Sequence, residues 1–311
     1  MRRLFVTYIG ILSLLTGCVE EVDQFQPLEL VSGDISRLFE AIQSNPIQIS
    51  WDVAQEQDIT LPGSGHVIVP PQAFVSPDGS EVAGWVEAKI LPLPAKKDLL
   101  PESASTSSLG RLFSAYGGVK IEVEQGGVPL RLAEGKRIKV RMSTARYNSQ
   151  MRLFTAQQPS DWAGYNPGEV VVRSVELEDP EDGTLLPGFE MESPELGYLQ
   201  CGAYLPQDEG LAEVCLNLPY GFEAANTVAF LVFRDHESLV RLPFTGEELR
   251  PDCCLQGLPI GEVGKIIVVA EGEEGVYFFR ERTITIVENL TINITPERVS
   301  LSDIMLALEG L

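Results

Sequence analysis

Two histidines, four cysteines in the body of the chain, one acidic turn and one aromatic pair are the side chains whose types could do chemistry. His66 and His236 lie far apart in sequence, so a general acid–base pair or a histidine metal site would need other residues to complete it. His66 falls in an expected strand and reads first as a strand residue. Gly63-Ser64-Gly65-His66 has the look of a nucleophile turn, but G-x-S-x-G needs glycines two residues either side of the serine, where this chain has Pro62 and His66. The helix that should follow is replaced by strand and proline. In Asp179-Pro180-Glu181-Asp182-Gly183, the carboxylates of Asp179, Glu181 and Asp182 are hard oxygen ligands beside a glycine turn, a set suited to Ca²⁺. The run departs from the EF-hand pattern, and an acidic loop is usually a solvated one. Trp162 and Tyr165 either stack on a sugar or protein partner or fold inwards as local core.

The body cysteines are Cys201, Cys215, Cys253 and Cys254. An even number in an oxidising compartment predicts disulfides, and four cysteines allow three connectivities. A bond between the neighbours Cys253 and Cys254 would close a strained ring, so the expectation is Cys201 and Cys215 each joined to one of Cys253 and Cys254. The spacing contains no C-x-x-C element and fits zinc poorly. No Walker or Rossmann glycine pattern stands between a strand and a helix; Gly261 to Gly264 lacks the spacing. Asn289-Leu290-Thr291 and Asn293-Ile294-Thr295 match glycosylation acceptors, a pattern common by chance. Apart from the candidate Ca²⁺ ligands, no cofactor is expected.

With 45 acidic and 23 basic residues the chain carries a net charge of −22. That argues against nucleic acid as a partner, since phosphate binding is driven by Lys and Arg, and against electrostatic docking on anionic lipid. It suits solubility and cation binding.

The elements that must position these residues read as mostly β. Asp34 to Asn45 has an N-cap candidate followed by Ile35, Leu38, Phe39 and Ile42 on helical spacing. Gln48 to Val53, His66 to Val69, Val82 to Leu91, Val119 to Glu124 and Ile138 to Met142 alternate as strands, separated by Gly and Pro turns such as Pro77-Asp78-Gly79 and Gly126-Gly127. Lys96 to Leu100 suggests a turn of helix, and Ser103 to Ser108 a Ser/Thr loop. A loop-rich middle precedes a second strand series through Cys215 to Pro219, Thr227 to Phe233, Lys265 to Ala270, Val276 to Phe279 and Thr283 to Val287, and Ser302 to Leu308 reads as a closing helix. The expected fold class is mainly β: an antiparallel β-sandwich domain followed by a second small β-sandwich-like domain, with few short helices.

The start of the chain carries an address. Met1-Arg2-Arg3 and the apolar run Leu4 to Leu15 form an export signal too short to span a bilayer permanently, which takes about 20 apolar residues. Leu15-Thr16-Gly17-Cys18 resembles the lipobox of bacterial lipoprotein precursors. The resemblance implies cleavage before Cys18, diacylglycerol on its sulfur and acylation of the new amino terminus, enough lipid for stable anchoring. Val19 stands where an aspartate would signal inner-membrane retention, so the analogy points to the outer membrane. Glu20, Glu21 and Asp23 resemble surface-export tags of Bacteroidetes lipoproteins but also suit a solvated tether, leaving the periplasmic and surface faces both open.

Val67-Ile68-Val69-Pro70-Pro71-Gln72-Ala73-Phe74, followed by Asp78-Gly79 and Val82-Ala83-Gly84-Trp85-Val86, with Thr106 to Gly118 later, resembles the ZU5-like β-sandwich of Bacteroidetes envelope lipoproteins. Leu196 to Cys201, Leu218-Pro219 and Asn226 to Phe230 are similar to the second half of such proteins. The resemblance covers Trp51 to Ser300, and its motifs are turns and core positions. It implies fold and envelope location and carries no catalytic residue. The expected organisation is a signal peptide at 1–17, tether and short helix at 18–46, a ZU5-like sandwich at 47–146, a loop-rich connector at 147–193 and a second β domain at 194–311. The expected role is non-enzymatic binding or assembly, anchored to the membrane through Cys18, with an envelope protein as partner. The other reading is an envelope hydrolase or carbohydrate-binding accessory that takes a glycan at a loop-built site around Trp162 and Asp179 to Gly183.

Overall fold

The computed structural model describes residues 33–166, 168–206, 210–245 and 252–311. The expected signal segment, Cys18 and the expected tether as far as residue 32 lie outside the described residues. Helix α1 (Ile35–Ile42) begins where the Asp34 carboxylate accepts a hydrogen bond from the Ser36 amide, and it turns Leu38 and Phe39 inwards. Then come β1 (Ile47–Asp52), β2 (Gln57–Leu61), β3 (Gly65–Val69), β4 (Phe74–Val75) and β5 (Trp85–Leu93). A 3₁₀ turn at Lys96–Leu99 leads to β6 (Ser107–Ser108), β7 (Arg111–Gln125), β8 (Val128–Pro129), β9 (Arg131–Leu132) and β10 (Ile138–Ser143). Next are β11 (Arg152–Ala156), β12 (Ala163–Gly164), β13 (Val172–Glu178), β14 (Leu185–Ser193) and β15 (Gly197–Tyr204). The remaining strands are β16 (Leu211–Asn217), β17 (Thr227–Phe233), β18 (Leu239–Leu242), β19 (Asp252–Pro259), β20 (Val263–Glu271), β21 (Tyr277–Thr285), β22 (Leu290–Asn293) and β23 (Glu297–Val299). Helix α2 (Leu301–Glu309) closes the chain, capped by Ser300 and Asp303 in a reciprocal box.

The fold is mainly β, in two sandwiches. In the first, the sheet β1-β5-β7-β15-β11-β12 faces the sheet β13-β14-β10-β3-β2. Strand alternation builds the core between them: Val86, Ala88 and Ile90 point in from β5 while Trp85, Glu87 and Lys89 point out. In the second, β18-β17-β20-β21-β23 covers β19-β16-β22, with Leu216, Leu231, Ile266 and Val268 between the sheets. Strand β17 is buried along its whole length because a third core lies on its other face. There Val228, Phe230 and Val232 meet Phe113, Phe154 and Trp162 of the first sandwich, with Leu38 and Phe39 of α1 and Ile304 and Leu308 of α2. Phe113 and Phe154 stack with centroids 3.9 Å apart. The two sandwiches therefore share an apolar seam, which explains why Thr227 to Phe233 reads as an unbroken apolar run.

The stretch 147–193, expected as a connector, supplies β11 to β14, and β15, expected in the second domain, pairs with β7 and β11 in the first. The division between the sandwiches falls after Tyr204. Composition there looks loop-like because β13 is an edge strand with charged outward residues and its hairpin to β14 closes on an acidic turn.

The expectation of two disulfides also needs correction. Cys215 and Cys254 sit directly opposite each other on β16 and β19 with Cα atoms 4.1 Å apart, and they are bonded. Adjacent strand residues face opposite ways, so Cys253 turns into the second core while Cys254 turns out to meet Cys215. Cys201 lies in the first core, in a different sandwich from Cys253, and is a free thiol. Burial pushes the Cys201 thiol far above its ordinary range, which makes it inert.

Candidate functional site

The outer face of the first sandwich's larger sheet is where the described residues leave a broad concavity. Strands β1, β5 and β7 send Gln48 and Ser50, Glu87 and Lys89, and Lys120, Glu122 and Glu124 to the side opposite the core. With Pro129, Gln157 and Tyr198 at its borders they form a groove of about 600 Å³. The register sets two rows across it: Gln48, Lys89 and Glu122, then Ser50, Glu87 and Glu124. The second row puts two carboxylates directly opposite each other, an unfavourable pairing in a sheet. Lys89 makes no ion pair within the described residues.

One end of the groove is closed by a network that no local motif announces. The Glu102 side chain is 5 % exposed and accepts hydrogen bonds from the Tyr198 hydroxyl and the Gln43 amide at the end of α1. Lys120 Nζ lies 3.8 Å from Glu102 and 3.2 Å from Glu122, and 5.1 Å from the Tyr198 ring centroid. Burial, reinforced by the bond to Glu102, holds the Tyr198 phenol well above its usual range, so it remains a protonated donor. The cluster fixes the helix and the loop against the sheet, and leaves donors and acceptors of both signs along the groove.

The groove is bounded by β1, which is the outer strand of its sheet. Its inward Ile47 and Ile49 are only half-covered, whereas Ile59 and Leu61 on the edge strand β2 are 3 % and 2 % exposed. Its outward residues Gln48 and Ser50 are neutral, and its one charge, Asp52, sits at the end and caps the Ala54 amide. Several other edges are blunted. β13 carries Arg173, Glu176 and Glu178; β19 is broken by a bulge, bridged by Phe244 and tied by the disulfide. β18 is capped by the Ser/Thr loop, where Thr106 bonds Leu239 and Ser238, and β23 is three residues long.

The residues singled out by sequence are dispersed. Trp162 is 2 % exposed in the seam, with its indole nitrogen donating to Pro159 O at 2.9 Å, so it does not stack on a ligand. Tyr165 donates to Glu195 at 2.6 Å, and burial with that bond pushes its phenol up to about 12. The Asp179 and Asp182 carboxylates accept from the Glu181 and Thr184 amides within the β13–β14 hairpin turn. They act as turn caps there. Among the described residues no group of three or more His, Cys, Asp or Glu is arranged to hold a metal ion. His66 bonds Asp58 at 2.9 Å and His236 faces Glu262 at 3.3 Å, in different sandwiches. Ser64 is buried in the β2–β3 hairpin turn with φ of 63°, and no hydrogen bond joins it to His66. No protein-family model matches the chain, and no curated protein matches its sequence.

Sequence reading missed Glu102, Tyr198 and Lys120 as a group, and also Lys96. The Lys96 ammonium is buried and donates to Phe233 O at 2.8 Å and His236 O at 3.2 Å, pinning the 3₁₀ turn of the first sandwich to the second. Burial lowers its pKa. The only sequence signal was Val119 to Glu124, whose alternation marked the charged outer face without naming its neighbours.

Proposed function

We propose that this chain is a lipid-anchored, non-enzymatic module of the bacterial envelope that holds an envelope protein by adding one of its extended segments to β1. The observation that carries the reading is the β1 edge, six residues long, free of interior charge and backed by half-covered isoleucines. An open edge offers a row of unpaired amides and carbonyls, and strand addition uses them for affinity while alternate side chains give specificity. A segment laid along β1 would place apolar residues over Ile47 and Ile49 and its outward residues beside the groove. Trp85, 67 % exposed on the same face of β5, supplies an aromatic anchor of the kind found in interfaces. The lipobox-like Leu15 to Cys18 supports membrane attachment, and the resemblance to ZU5-like sandwiches, whose eukaryotic relatives act in protein–protein contact, supports the binding role. Among the described residues no helix is long and apolar enough to cross a membrane.

The test is cross-linking in the native host followed by purification of the lipidated protein, beside Cys18→Ala and Ile49→Lys versions. A stoichiometric envelope protein retained by the parent and lost when a lysine points inwards at the edge is the expected result. Equal recovery with Ile49→Lys would show that β1 is not the docking strand.

A further inference from the structure

The second sandwich carries a separate feature at its open side. On β20 and β21, Ile266 lies opposite Arg282 and Val268 opposite Arg280, so both arginines project from the face that packs the second core. Their neighbours on that face, Phe278 and Ile284, are covered by apolar packing. At Arg280 and Arg282 the covering sheet ends, and a groove of about 440 Å³ opens between β21 and the turn after β22. Its other lining residues are Glu281, Asn293, Ile294, Thr295 and Glu297, of which only Ile294 is apolar.

Most of the donors in this groove are not consumed within the described residues. Arg280 uses one terminal nitrogen on Glu297. Arg282 makes no ion pair or hydrogen bond within the described residues. Asn293 accepts from Asn217 through its carbonyl oxygen at 2.9 Å, which leaves its amide nitrogen to donate elsewhere. Arg298, opposite Phe278 on β23, adds a third guanidinium to the same face. Three arginines gathered on one open face stand against the general charge of a chain with 45 acidic residues and 23 basic ones.

We infer that this groove binds a carboxylate-bearing sugar. A guanidinium presents parallel N–H groups that match the two oxygens of a carboxylate, which a lysine or an amide does not do. The amide of Asn293 and the hydroxyl of Thr295 provide partners for ring hydroxyls, while Glu281 is held by Lys265 at 3.0 Å and Glu297 by Arg280. The near absence of apolar lining disfavours a peptide side chain, and the volume falls in the range of about 300–1,000 Å³ typical of small-molecule sites.

The experiment is a titration of the isotopically labelled chain with glucuronate at about 0.15 M salt, which limits long-range repulsion from the net negative charge. The guanidinium N–H resonances of Arg280 and Arg282 are followed, with glucose and acetate as comparison ligands. Expected are saturable shifts at both arginines with a dissociation constant on the order of 1 mM, no saturation with glucose, and acetate at least about tenfold weaker. Arg282→Gln, at an exposed position, and Thr295→Val are each expected to weaken glucuronate at least about tenfold without changing the unfolding transition. Absence of saturable shifts, or unchanged affinity in Arg282→Gln, would overturn the site. Equal binding of acetate and glucuronate would overturn its assignment to a sugar.

Discussion

Strands β1 and β13 both lie at the edges of the first sandwich, and they are finished in opposite ways. On β13, Arg173 reaches the Glu190 carboxylate of the neighbouring strand at 2.5 Å, while Arg141 of β10 holds the same carboxylate at 2.7 Å. Glu190 is fully buried, and Glu176 and Glu178 add outward charge to the edge. β1 has no comparable lock: its outward side chains are amide and hydroxyl, and its isoleucines are left half-covered. The contrast teaches that this chain has the means to close an edge with charge and does not apply them at β1. An edge left unpaired among the described residues, at the rim of a groove, is what the proposed strand addition would use.

The largest expected effect comes from opening the closed edge. Replacing Arg141 and Arg173 together by Met leaves a buried carboxylate without a counter-charge, and a loss of about 3–5 kcal/mol in denaturant unfolding is expected. The pH dependence sharpens this. Burial raises the Glu190 pKa, but the bonds from Arg141 and Arg173 outweigh it and hold the group below its ordinary value. Its contribution to stability is therefore complete above the unfolded pKa of about 4.3 and is lost as pH falls through the lower folded value. In the double variant the sign reverses, and acidification towards pH 4 should restore stability; a parent-like profile would show that the arginines do not set the charge state.

Next in size is the covalent closure of the β19 edge. Reduction, or Cys215→Ala with Cys254→Ala, is expected to cost about 2–4 kcal/mol, read as a lower unfolding midpoint. A linked Cys215–Cys254 peptide should be recovered by mass spectrometry of the unreduced protein, with Cys201 unbridged.

Smaller still is the stability effect of Ile49→Lys, about 1 kcal/mol or less at a half-covered edge position, although it should abolish partner recovery. Glu176→Lys on β13 should leave recovery intact. Trp85→Ala is expected to change stability by no more than about 0.5 kcal/mol and to weaken partner binding about tenfold. Weakening by Trp85→Ala without any effect of Ile49→Lys would move the interface from the edge to the open face.

The sequence showed the strands of the first sandwich because alternation over Val82 to Leu91, Val119 to Glu124 and Ile138 to Met142 follows directly from one buried and one solvated face. It showed α1 through Asp34 and its apolar spacing. It concealed β11 to β15 as parts of one domain, because pairing with β7 and β10 is set by contacts distant in sequence. The Cys215–Cys254 bond depended on register across β16 and β19, so only the set of candidate cysteines was legible. Trp162 illustrates the same limit: inward packing was a legible alternative, but its ring partners Phe113 and Tyr198 are distant in sequence and appear only in the fold. The lack of a strand beside β1 among the described residues is likewise a matter of what does not pair with it, and no residue within Ile47 to Asp52 encodes that by itself.

The central claim is tested most directly by placing a photo-cross-linking residue at Ser50 on β1 and, separately, at Glu176 on β13, in the full-length protein in its host. The account predicts an envelope protein joined at position 50 through a contiguous extended segment, and no such product at position 176. Equal products at both edges, or a product at 176 alone, would contradict it.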